Sequence, residues 1–299
     1  MANIIITGVN GLLGQKLLRQ ATAHHTVLGV DIHEKTFVKK VKFEYQRLDI
    51  TERHATRDTV LNFYPEFIVN TAAMTDVDAC EEQREQCWKV NVQALENLIY
   101  AARKIGSKII HLSTDYVFDG KNGPYSENDI CSPLGYYGKS KLASENVLKA
   151  SDVEHAIVRT MVLYGSGIAV RPNFVTWLIA ALQQKRQVNI VTDQIGNPTL
   201  ADELAAAILK IIQVEKMDIF HVSGSEIVDR YHFALKIAEV FDLDSNLIKP
   251  IQTQQLKQIA PRPLKSGFII DKAIRELDCE LSDAEQGLKK IKKQLKKLW

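Results

Sequence analysis

The sequence predicts an α/β fold, in which a doubly wound parallel sheet carries a smaller C-terminal lobe. Short apolar runs alternate with segments of helical character through the first half of the chain, which is typical of a parallel sheet covered by helices. A glycine-rich turn follows the first apolar run. From about Gly165 the alternation loosens, which indicates a second and smaller structural unit.

The first predicted strand, Asn3–Ile6, is followed at once by Gly8, Gly11 and Gly14. Glycines at this spacing let the chain turn tightly and approach a phosphate closely. The N-terminus of the helix that follows offers free N–H groups and a positive dipole end. The segment therefore predicts a site for the pyrophosphate of a dinucleotide, although the same glycines also suit a plain turn.

A second strand, Thr26–Val30, ends in Asp31. A carboxylate at this place can accept hydrogen bonds from an adenosine ribose and repels a 2′-phosphate. No arginine follows between Ile32 and Lys35. The pattern favours NAD(H) as the cofactor, with NADP(H) as the alternative. The competing interpretation is that Asp31 is an ordinary solvated residue at a strand end.

Further apolar runs continue the alternation and place polar residues at the carboxyl edge of the sheet, where ligands bind in open α/β folds. Helical periodicity predicts helices at residues 53–63 and 87–104, and Pro65 ends the first of them. Strands are predicted at residues 43–50, 67–70, 108–112 and 156–159.

The strand at residues 108–112 delivers Ser113 and Thr114 to that edge. Tyr137 and Lys141 follow, four residues apart and thus one turn apart on a predicted helix. A hydroxyl, a tyrosine and a lysine together can polarise a carbonyl, give it a proton and hold a ribose. An exposed helix face is the alternative for the Tyr-x-x-x-Lys pair alone, but the glycine turn makes the catalytic interpretation the stronger one.

The second half of the chain is less regular. Helices are predicted at residues 173–184, 200–214 and 230–240, and strands at 188–192 and 219–222. We expect residues 1–165 to form the NAD(P)-binding domain and residues 166–299 to form mainly a substrate-binding lobe. Segments near residues 200–245 are expected to return to the main sheet.

The composition is that of a soluble enzyme. The chain has 299 residues, of which 45% are hydrophobic and 25% charged, and its net charge is +2. This balance gives no electrostatic case for binding nucleic acid or a membrane. The four cysteines lack C-x-x-C spacing, as expected of reduced thiols in the cytoplasm. No metal-ligand pattern is visible, and the first strand begins without a signal peptide.

The C-terminal tail, residues 288–299, carries six lysines and an apolar stripe. The stripe consists of Leu288, Ile291, Leu295 and Leu298. A basic amphipathic helix of this kind can lie on a membrane surface. We expect instead that it docks its stripe on the body of the protein, because the rest of the charge is balanced.

Several longer motifs together resemble those of the extended short-chain dehydrogenases/reductases, and specifically the dTDP-4-dehydrorhamnose reductase family. The resemblance implies a Rossmann-type N-terminal domain, a nucleotide-sugar lobe and NAD(P)H-dependent reduction of a 4-keto sugar. The matching segments run in order along nearly the whole chain: Gly8-x-x-Gly11-x-x-Gly14, Asp49-Ile50, Asn70-Thr71-Ala72-Ala73-Met74-Thr75-Asp76-Val77-Asp78-x-x-Glu81, Val90-Asn91, Ser113–Gly120, Tyr137–Leu142 with Glu145, Arg159-Thr160, Leu163-Tyr164-Gly165, Asn173-Phe174-Val175, Asp193-Gln194-x-Gly196-x-Pro198-Thr199 and Arg262-Pro263.

The resemblance implies that Thr114, Tyr137 and Lys141 are the catalytic residues. Tyr137 is the candidate proton donor, and Thr114 orients the substrate oxygen, with Ser113 as the alternative. A free tyrosine has a pKa of roughly 10. Lys141 is therefore expected to lower the pKa of Tyr137 and to hold the nicotinamide ribose.

The remaining site residues follow from the same resemblance. Cofactor contacts are expected from Gly8, Asn10, Gly11, Leu12, Leu13, Gly14, Asp31, Asp49, Ile50, Thr71, Ala72, Ala73, Tyr137 and Lys141. Substrate contacts are expected from Thr75, Val77, Asp115, Asn173, Gln194 and Arg262. Arg262 can pair with a diphosphate or form a salt bridge between lobes, and Asn173 can instead cap a helix.

The strand end argues against related reactions. Nucleotide-sugar dehydratases carry Asp-Glu after the threonine, whereas this chain has Asp115-Tyr116. Reduction is therefore favoured over elimination. Where the family often has Arg-Thr-Ser-Trp, this chain has Met161-Val162 after Arg159-Thr160, which leaves the exact sugar open.

Two other functions remain as alternatives. The chain also resembles the regulatory beta subunit of methionine adenosyltransferase, which would make it a non-catalytic NAD(P)-binding partner. Another short-chain reductase or epimerase activity is the second alternative. By analogy with the superfamily, a homodimer is expected.

Overall fold

The computed structural model describes residues 1–296, which form one large parallel sheet, flanking helices and a smaller lobe. The strands are β1 (Asn3–Thr7), β2 (Thr26–Asp31), β3 (Glu44–Arg47), β4 (Phe67–Asn70), β5 (Lys108–Thr114), β6 (His155–Thr160), β7 (Leu163–Tyr164), β8 (Val188–Val191), β9 (Ile195–Gly196), β10 (Thr199–Leu200), β11 (Ile219–His221), β12 (Val228–Asp229) and β13 (Ile248–Ile251).

The helices lie mostly between successive strands. They are α1 (Leu12–Ala21), α2 (Arg53–Phe63), α3 (Val77–Glu82), α4 (Arg84–Trp88), α5 (Ala94–Ile105), α6 (Tyr136–Lys149), α7 (Phe174–Gln183), α8 (Ala201–Val214), α9 (Arg230–Val240), α10 (Asp271–Leu277) and α11 (Ala284–Leu295).

The main sheet has seven parallel strands in the order β11-β6-β5-β4-β1-β2-β3. The strand order reverses between β1 and β4, which makes this the switch point where α/β folds bind ligands. The predicted Rossmann-type doubly wound sheet is thus confirmed.

Both faces of the sheet are buried, because each strand contributes apolar side chains in both directions. One face packs against α1 and α8 through residues such as Leu17, Leu204 and Ile208. The other packs against α2 and α5 through residues such as Val60 and Leu98. The chain therefore returns from the second half to complete the core of the first.

The smaller lobe has its own apolar cluster. It is built from α7, α9 and α11 together with the parallel pair β8–β13, and Val175, Leu178, Phe233 and Ile237 are fully buried in it. The stripe of the C-terminal tail docks here, since Leu288 and Ile291 are also fully buried. Leu298 lies outside the described residues.

The predicted helix at residues 87–104 is wrong in one respect. It is divided into α4 and α5 by a π-helical turn at Lys89–Gln93. Asn91 lies in this turn, is buried, and binds the backbone of Met74 in both directions, at 2.8 and 3.1 Å. The π-helical turn directs the side chain of Asn91 towards the segment that follows β4. Such turns are frequent near functional sites. Apolar periodicity alone cannot reveal this turn.

The predicted strand at residues 43–50 is also too long, since β3 covers only Glu44–Arg47. It is an edge strand with mostly exposed side chains, so burial gives no support to its ends. Through residue 296, no helix combines the length and the apolar character needed to cross a membrane.

Candidate active site

The turn between β1 and α1 packs backbone against backbone. Gly8 has a φ of +64°, a left-handed conformation that other residues rarely adopt. A Cβ on Gly8 would lie 3.0 Å from the Cα of Ala72, and one on Gly14 would lie 2.7 Å from the Cα of Val9. The Gly11 N–H donates to the Gly8 carbonyl at 2.9 Å. Glycine is therefore required at positions 8 and 14 of this turn.

Helix α1 begins immediately after it, with Leu12 and the buried Leu13 as its first residues. No side chain caps its first turn, so its N–H groups remain available to an anion. The turn and the helix end together fit the pyrophosphate of a dinucleotide, as the glycine spacing predicts.

The predicted ribose ligand, Asp31, ends β2 and is buried. One carboxylate oxygen accepts the Asn10 N–H at 3.0 Å, and the other lies 2.6 Å from Nδ1 of His33. The side-chain oxygen of Asn10 accepts the N–H of Phe37 at 2.8 Å. Asp31 and Asn10 therefore hold the loop after β2 against the glycine turn, where the adenosine end of a dinucleotide would lie.

An arginine lies beside Asp31 after all, on the neighbouring strand. Arg47 is the register partner of Asp31 in the β2–β3 pair. Its Nε donates to the Ile32 carbonyl at 3.3 Å, and its Nη1 pairs with Glu34 at 2.5 Å. Residues 32–35 give no sign of this arginine, because strand pairing and not sequence proximity brings Arg47 next to Asp31.

The residues after β4 face the glycine turn. The hydroxyl of Thr71 donates to the Thr7 carbonyl at 2.6 Å, and the Ala72 N–H donates to the Thr7 hydroxyl at 3.3 Å. Ala73 follows, half-buried. These contacts hold the segment after β4 against the end of β1, next to the switch point.

Asp49 and Ile50 lie further out, in the turn between β3 and α2. Asp49 is exposed and accepts the Thr51 N–H at 2.9 Å, whereas Ile50 is buried.

The three predicted catalytic residues meet at the carboxyl edge of β5. Thr114 is the last residue of β5, and its side chain lies beside that of Tyr137. Tyr137 and Lys141 lie one turn apart near the start of α6, and both are buried. The Thr114 hydroxyl also donates to Oδ1 of Asp115 at 3.1 Å.

Burial opposes the expected effect of Lys141 on Tyr137. Burial raises the pKa of Tyr137, and the neighbouring Thr114 side chain only partly offsets this increase. Burial also lowers the pKa of Lys141 to about 8. Nζ of Lys141 lies 3.1 Å from Nε2 of His111, so the lysine is engaged with a group that the sequence did not indicate.

His111 lies in the middle of β5 and belongs to a buried chain of hydrogen bonds. Thr7 donates to Oδ1 of Asn70 at 2.7 Å, so the amide nitrogen of Asn70 faces Nδ1 of His111, 3.1 Å away. The ring proton of His111 is then on Nε2, which lies 2.9 Å from the Ser144 hydroxyl. A protonated Nε2 beside Lys141 disfavours the ammonium form, in line with the lowered pKa of the lysine.

Behind Thr114 lies a buried ion pair. Glu145 on α6 and Arg159 on β6 form two hydrogen bonds at 2.9 and 2.7 Å, and their side chains are 0% and 2% exposed. The Ser113 hydroxyl donates to Glu145 at 2.6 Å. Ser113 thus faces the interior, whereas Thr114 contacts Tyr137.

Two predicted substrate residues make internal contacts. Nη2 of Arg262 pairs with Asp78 at 2.9 Å, which is the inter-lobe salt bridge considered as its alternative. The side chain of Asn173 accepts the Thr176 N–H at 3.2 Å and donates to the Gly165 carbonyl at 2.7 Å. It is the N-cap of α7, which was likewise its alternative.

The region between the carboxyl edge of the main sheet and the smaller lobe is called the cleft, and the other predicted substrate residues lie on its two sides. Thr75 is exposed and Val77 begins α3. Asp115 is buried, and its Oδ2 accepts the Ser266 hydroxyl at 2.7 Å. Gln194 donates to the Thr253 hydroxyl at 3.1 Å.

Sequence reasoning did not single out His111, Arg47 or Arg230. His111 carried a usable signal, because a histidine inside an otherwise apolar strand needs a buried partner. The arginines carried none, since their surroundings depend on strand pairing and on packing between distant segments. Within residues 1–296, no cluster of three or more histidine, cysteine or acidic side chains could hold a metal ion.

Comparison with known proteins gives a consistent result. The chain is 32% identical to a dTDP-4-dehydrorhamnose reductase of Aggregatibacter actinomycetemcomitans, with 98% of this chain and 99% of that protein covered. It is also 32% identical to the methionine adenosyltransferase 2 subunit beta of Mus musculus, with 83% of this chain and 75% of that protein covered.

Among solved structures, a dTDP-4-dehydrorhamnose reductase of Bacillus anthracis in complex with NADP superposes with a TM-score of 0.88. It is 29% identical, and the match covers 98% of this chain and 99% of that one. The family described as RmlD substrate binding domain matches residues 1–297. From its sequence, its sheet and its strand-edge site, the chain belongs to the RmlD substrate binding domain family.

Proposed function

We propose that the protein is an NAD(P)H-dependent reductase of a nucleotide-linked 4-keto sugar, of the dTDP-4-dehydrorhamnose reductase type. The observation that carries the proposal is the convergence of Thr114, Tyr137 and Lys141 at the edge of β5, on the sheet that also bears the glycine turn. When bound, the dinucleotide supplies the hydride. The residues of the chain donate the proton, orient the carbonyl oxygen and bind the nicotinamide ribose.

Tyr137 is the proposed proton donor, and burial, which raises its pKa, keeps it protonated before the reaction. A buried tyrosine that holds its proton at neutral pH can give it to the oxygen of a carbonyl as hydride reaches the carbon. The Thr114 hydroxyl, which lies beside Tyr137, orients the same oxygen. Ser113 is the weaker candidate for this role because its hydroxyl is bonded to Glu145.

Lys141 has two roles in the proposal. Its positive charge stabilises the tyrosinate left after proton transfer, and its amine holds a ribose hydroxyl of the nicotinamide nucleotide. With a pKa of about 8, Lys141 can also exchange protons near neutrality and help to restore the tyrosine. His111 lies behind the lysine on the interior side, with its Nε2 3.1 Å from Nζ of Lys141.

For the cofactor, we propose NAD(H) in preference to NADP(H), with both accepted. The carboxylate of Asp31 supports NAD(H), because it would repel a 2′-phosphate. Arg47 beside it supports some binding of NADP(H), and the related reductase of Bacillus anthracis was solved with NADP.

A dTDP-linked sugar is the proposed substrate, because the match to the reductase relative covers nearly all of both proteins. The match to the methionine adenosyltransferase subunit covers less of each chain. The complete Thr114, Tyr137 and Lys141 set also favours catalysis over a purely regulatory role, and the Asp115-Tyr116 pair does not favour elimination. Epimerase activity has no specific observation in its favour.

The test is nicotinamide absorbance over time with dTDP-4-keto-6-deoxy-L-mannose, comparing NADH with NADPH. We expect consumption of both, faster with NADH at low concentration. Absence of consumption by a protein that binds the cofactor would refute the proposal. Stimulation or inhibition of a methionine adenosyltransferase by that same inactive protein would identify the regulatory role instead.

Three further statements remain predictions. They are the domain limits at residues 1–165 and 166–299, a cytoplasmic location and a homodimer.

A further inference from the structure

Arg230 is the arginine in the cleft whose guanidinium is left without a partner. It begins α9, and its backbone N–H donates to the Gln194 carbonyl at 3.0 Å. Across residues 1–296, its side chain takes part in no hydrogen bond and no ion pair. Arg171 and Arg262, by contrast, pair with Asp76 at 2.8 Å and with Asp78 at 2.9 Å.

The position of Arg230 is electrostatically unfavourable. It is half-buried, and burial lowers its pKa, although Asp115 and Tyr116 act against this. It also stands at the N-terminus of a helix, the end at which a positive charge is disfavoured. Asp115 does not compensate with a hydrogen bond, because its two oxygens accept the hydroxyls of Thr114 and Ser266.

The surroundings of Arg230 point to an anion. Its Cζ lies 5.4 Å from the ring centre of Phe174, which is the first residue of α7. The positive ends of α7 and α9 therefore approach each other at this guanidinium. A planar guanidinium supported by an aromatic ring offers a fixed pair of donors to a phosphate.

Arg230 is also connected to the catalytic residues. It lies near Tyr116, and the ring of Tyr116 packs edge-on against the ring of Tyr137 at 5.5 Å between centres. An anion held by Arg230 is thus one side chain away from the proposed proton donor. This matches a substrate whose charged group is joined to the sugar that reacts.

We propose that Arg230 binds the diphosphate of the nucleotide sugar, the role that the sequence suggested for Arg262. The inference rests on the proposed function and adds the residue that recognises the charged part of the substrate. Arg262 is unavailable for this role as long as it pairs with Asp78.

The test is calorimetric titration of the full-length protein, saturated with NADH, with dTDP and with thymidine. We expect Arg230→Gln to weaken dTDP binding by about 10- to 100-fold, as expected for lost hydrogen bonds between charged groups. Affinity for thymidine and for NADH should stay within about twofold of the original protein. Arg230→Lys should recover part of the loss, since it keeps the charge without the planar fork.

Arg171→Gln is the matched control, because this arginine is 75% exposed and paired with Asp76, and its loss should change dTDP binding by less than about threefold. The inference is overturned if Arg230→Gln retains the preference for dTDP over thymidine, if the two arginine variants lose it equally, or if the original protein has no such preference. Reductase assays separate the two proposals. If the original protein is an active reductase and Arg230→Gln does not change dTDP binding, only the inference about Arg230 is refuted. If the original protein is inactive but its dTDP binding depends on Arg230, only the proposed reductase function is refuted.

Discussion

The two sides of the cleft hold their arginines in different ways. On the sheet side, Arg159 and Glu145 form a buried pair directly behind Thr114. On the lobe side, Arg262 pairs with Asp78, whose side chain is 35% exposed, and Arg230 has no ionic partner among residues 1–296. The ion pair on the sheet side is therefore preformed before any ligand binds, whereas on the lobe side the charge of Arg230 remains available to a ligand.

The largest effect on turnover is expected on the sheet side, at Tyr137. Tyr137→Phe removes the proposed proton donor but keeps the ring that packs on Tyr116. Turnover should fall by about 100- to 10,000-fold, while NADH affinity, measured by fluorescence titration, should change little. Tyr136→Phe is the control. Tyr136 is the half-buried neighbour of Tyr137 on α6, and it has no proposed role in proton transfer. Equal rates for the original protein and Tyr137→Phe would remove Tyr137 from the mechanism.

The two ion pairs should differ in stability. Arg159→Met leaves the buried Glu145 with only the partly exposed Lys149 as a cation, which should lower the free energy of unfolding by about 3 kcal/mol. Arg262→Met breaks a partly exposed pair and should cost about 1 kcal/mol. Urea denaturation of both variants measures the contrast. Similar losses would mean that the two sides are equally preformed.

Lys141 provides a pH test of the same contrast. Its pKa in the folded protein is about 8, below the ordinary 10.5, so the unfolded chain binds more protons between these values. The lysine therefore costs the folded state about 3 kcal/mol below pH 8, and this cost disappears as the pH rises towards 10.5.

Lys141→Met should consequently unfold at higher urea concentration than the original protein at pH 7, and the difference should shrink as the pH is raised to 10. Because both proteins share all other titrating groups, the difference between them isolates Lys141. A difference that is independent of pH would show that the lysine is not held in a low-polarity environment.

The smallest effect is expected at the adenosine end, where Arg47 is exposed and paired with Glu34. Arg47→Ala should weaken NADPH binding by about 5- to 10-fold and leave NADH binding within about twofold. Arg57→Ala on α2, another arginine with an acidic neighbour, is the control. An equal loss for both cofactors would assign Arg47 to the fold and not to the 2′-phosphate.

Much of the sheet side was predictable because its signals are local. Glycine spacing, a strand end and a Tyr-x-x-x-Lys pair each lie within a few residues, and strand order then brings them to one edge. Helix α2 even begins and ends at the predicted residues. The fold class needed only the alternation of strands and helices.

The remainder depended on contacts between distant segments. Whether Arg262 meets a phosphate or Asp78 is decided by packing between positions that are 184 residues apart in the sequence, and no pattern near Arg262 indicates which of the two it meets. The same holds for Lys141, whose neighbour His111 comes from a different element, and for the pKa of Tyr137, which is set by burial. Motifs indicate which groups are present, whereas packing decides which of them are already occupied.

The return of the chain to the first half has a consequence for recombination between relatives. Helix α8 packs on α1, and β11 extends the sheet beside β6. A chimera joined at Gly165 would therefore unite the sheet of one parent with an outer strand and a covering helix of another, across a core that no longer matches. Exchange of substrate specificity by domain grafting should instead retain residues 201–222 from the parent that supplies the sheet.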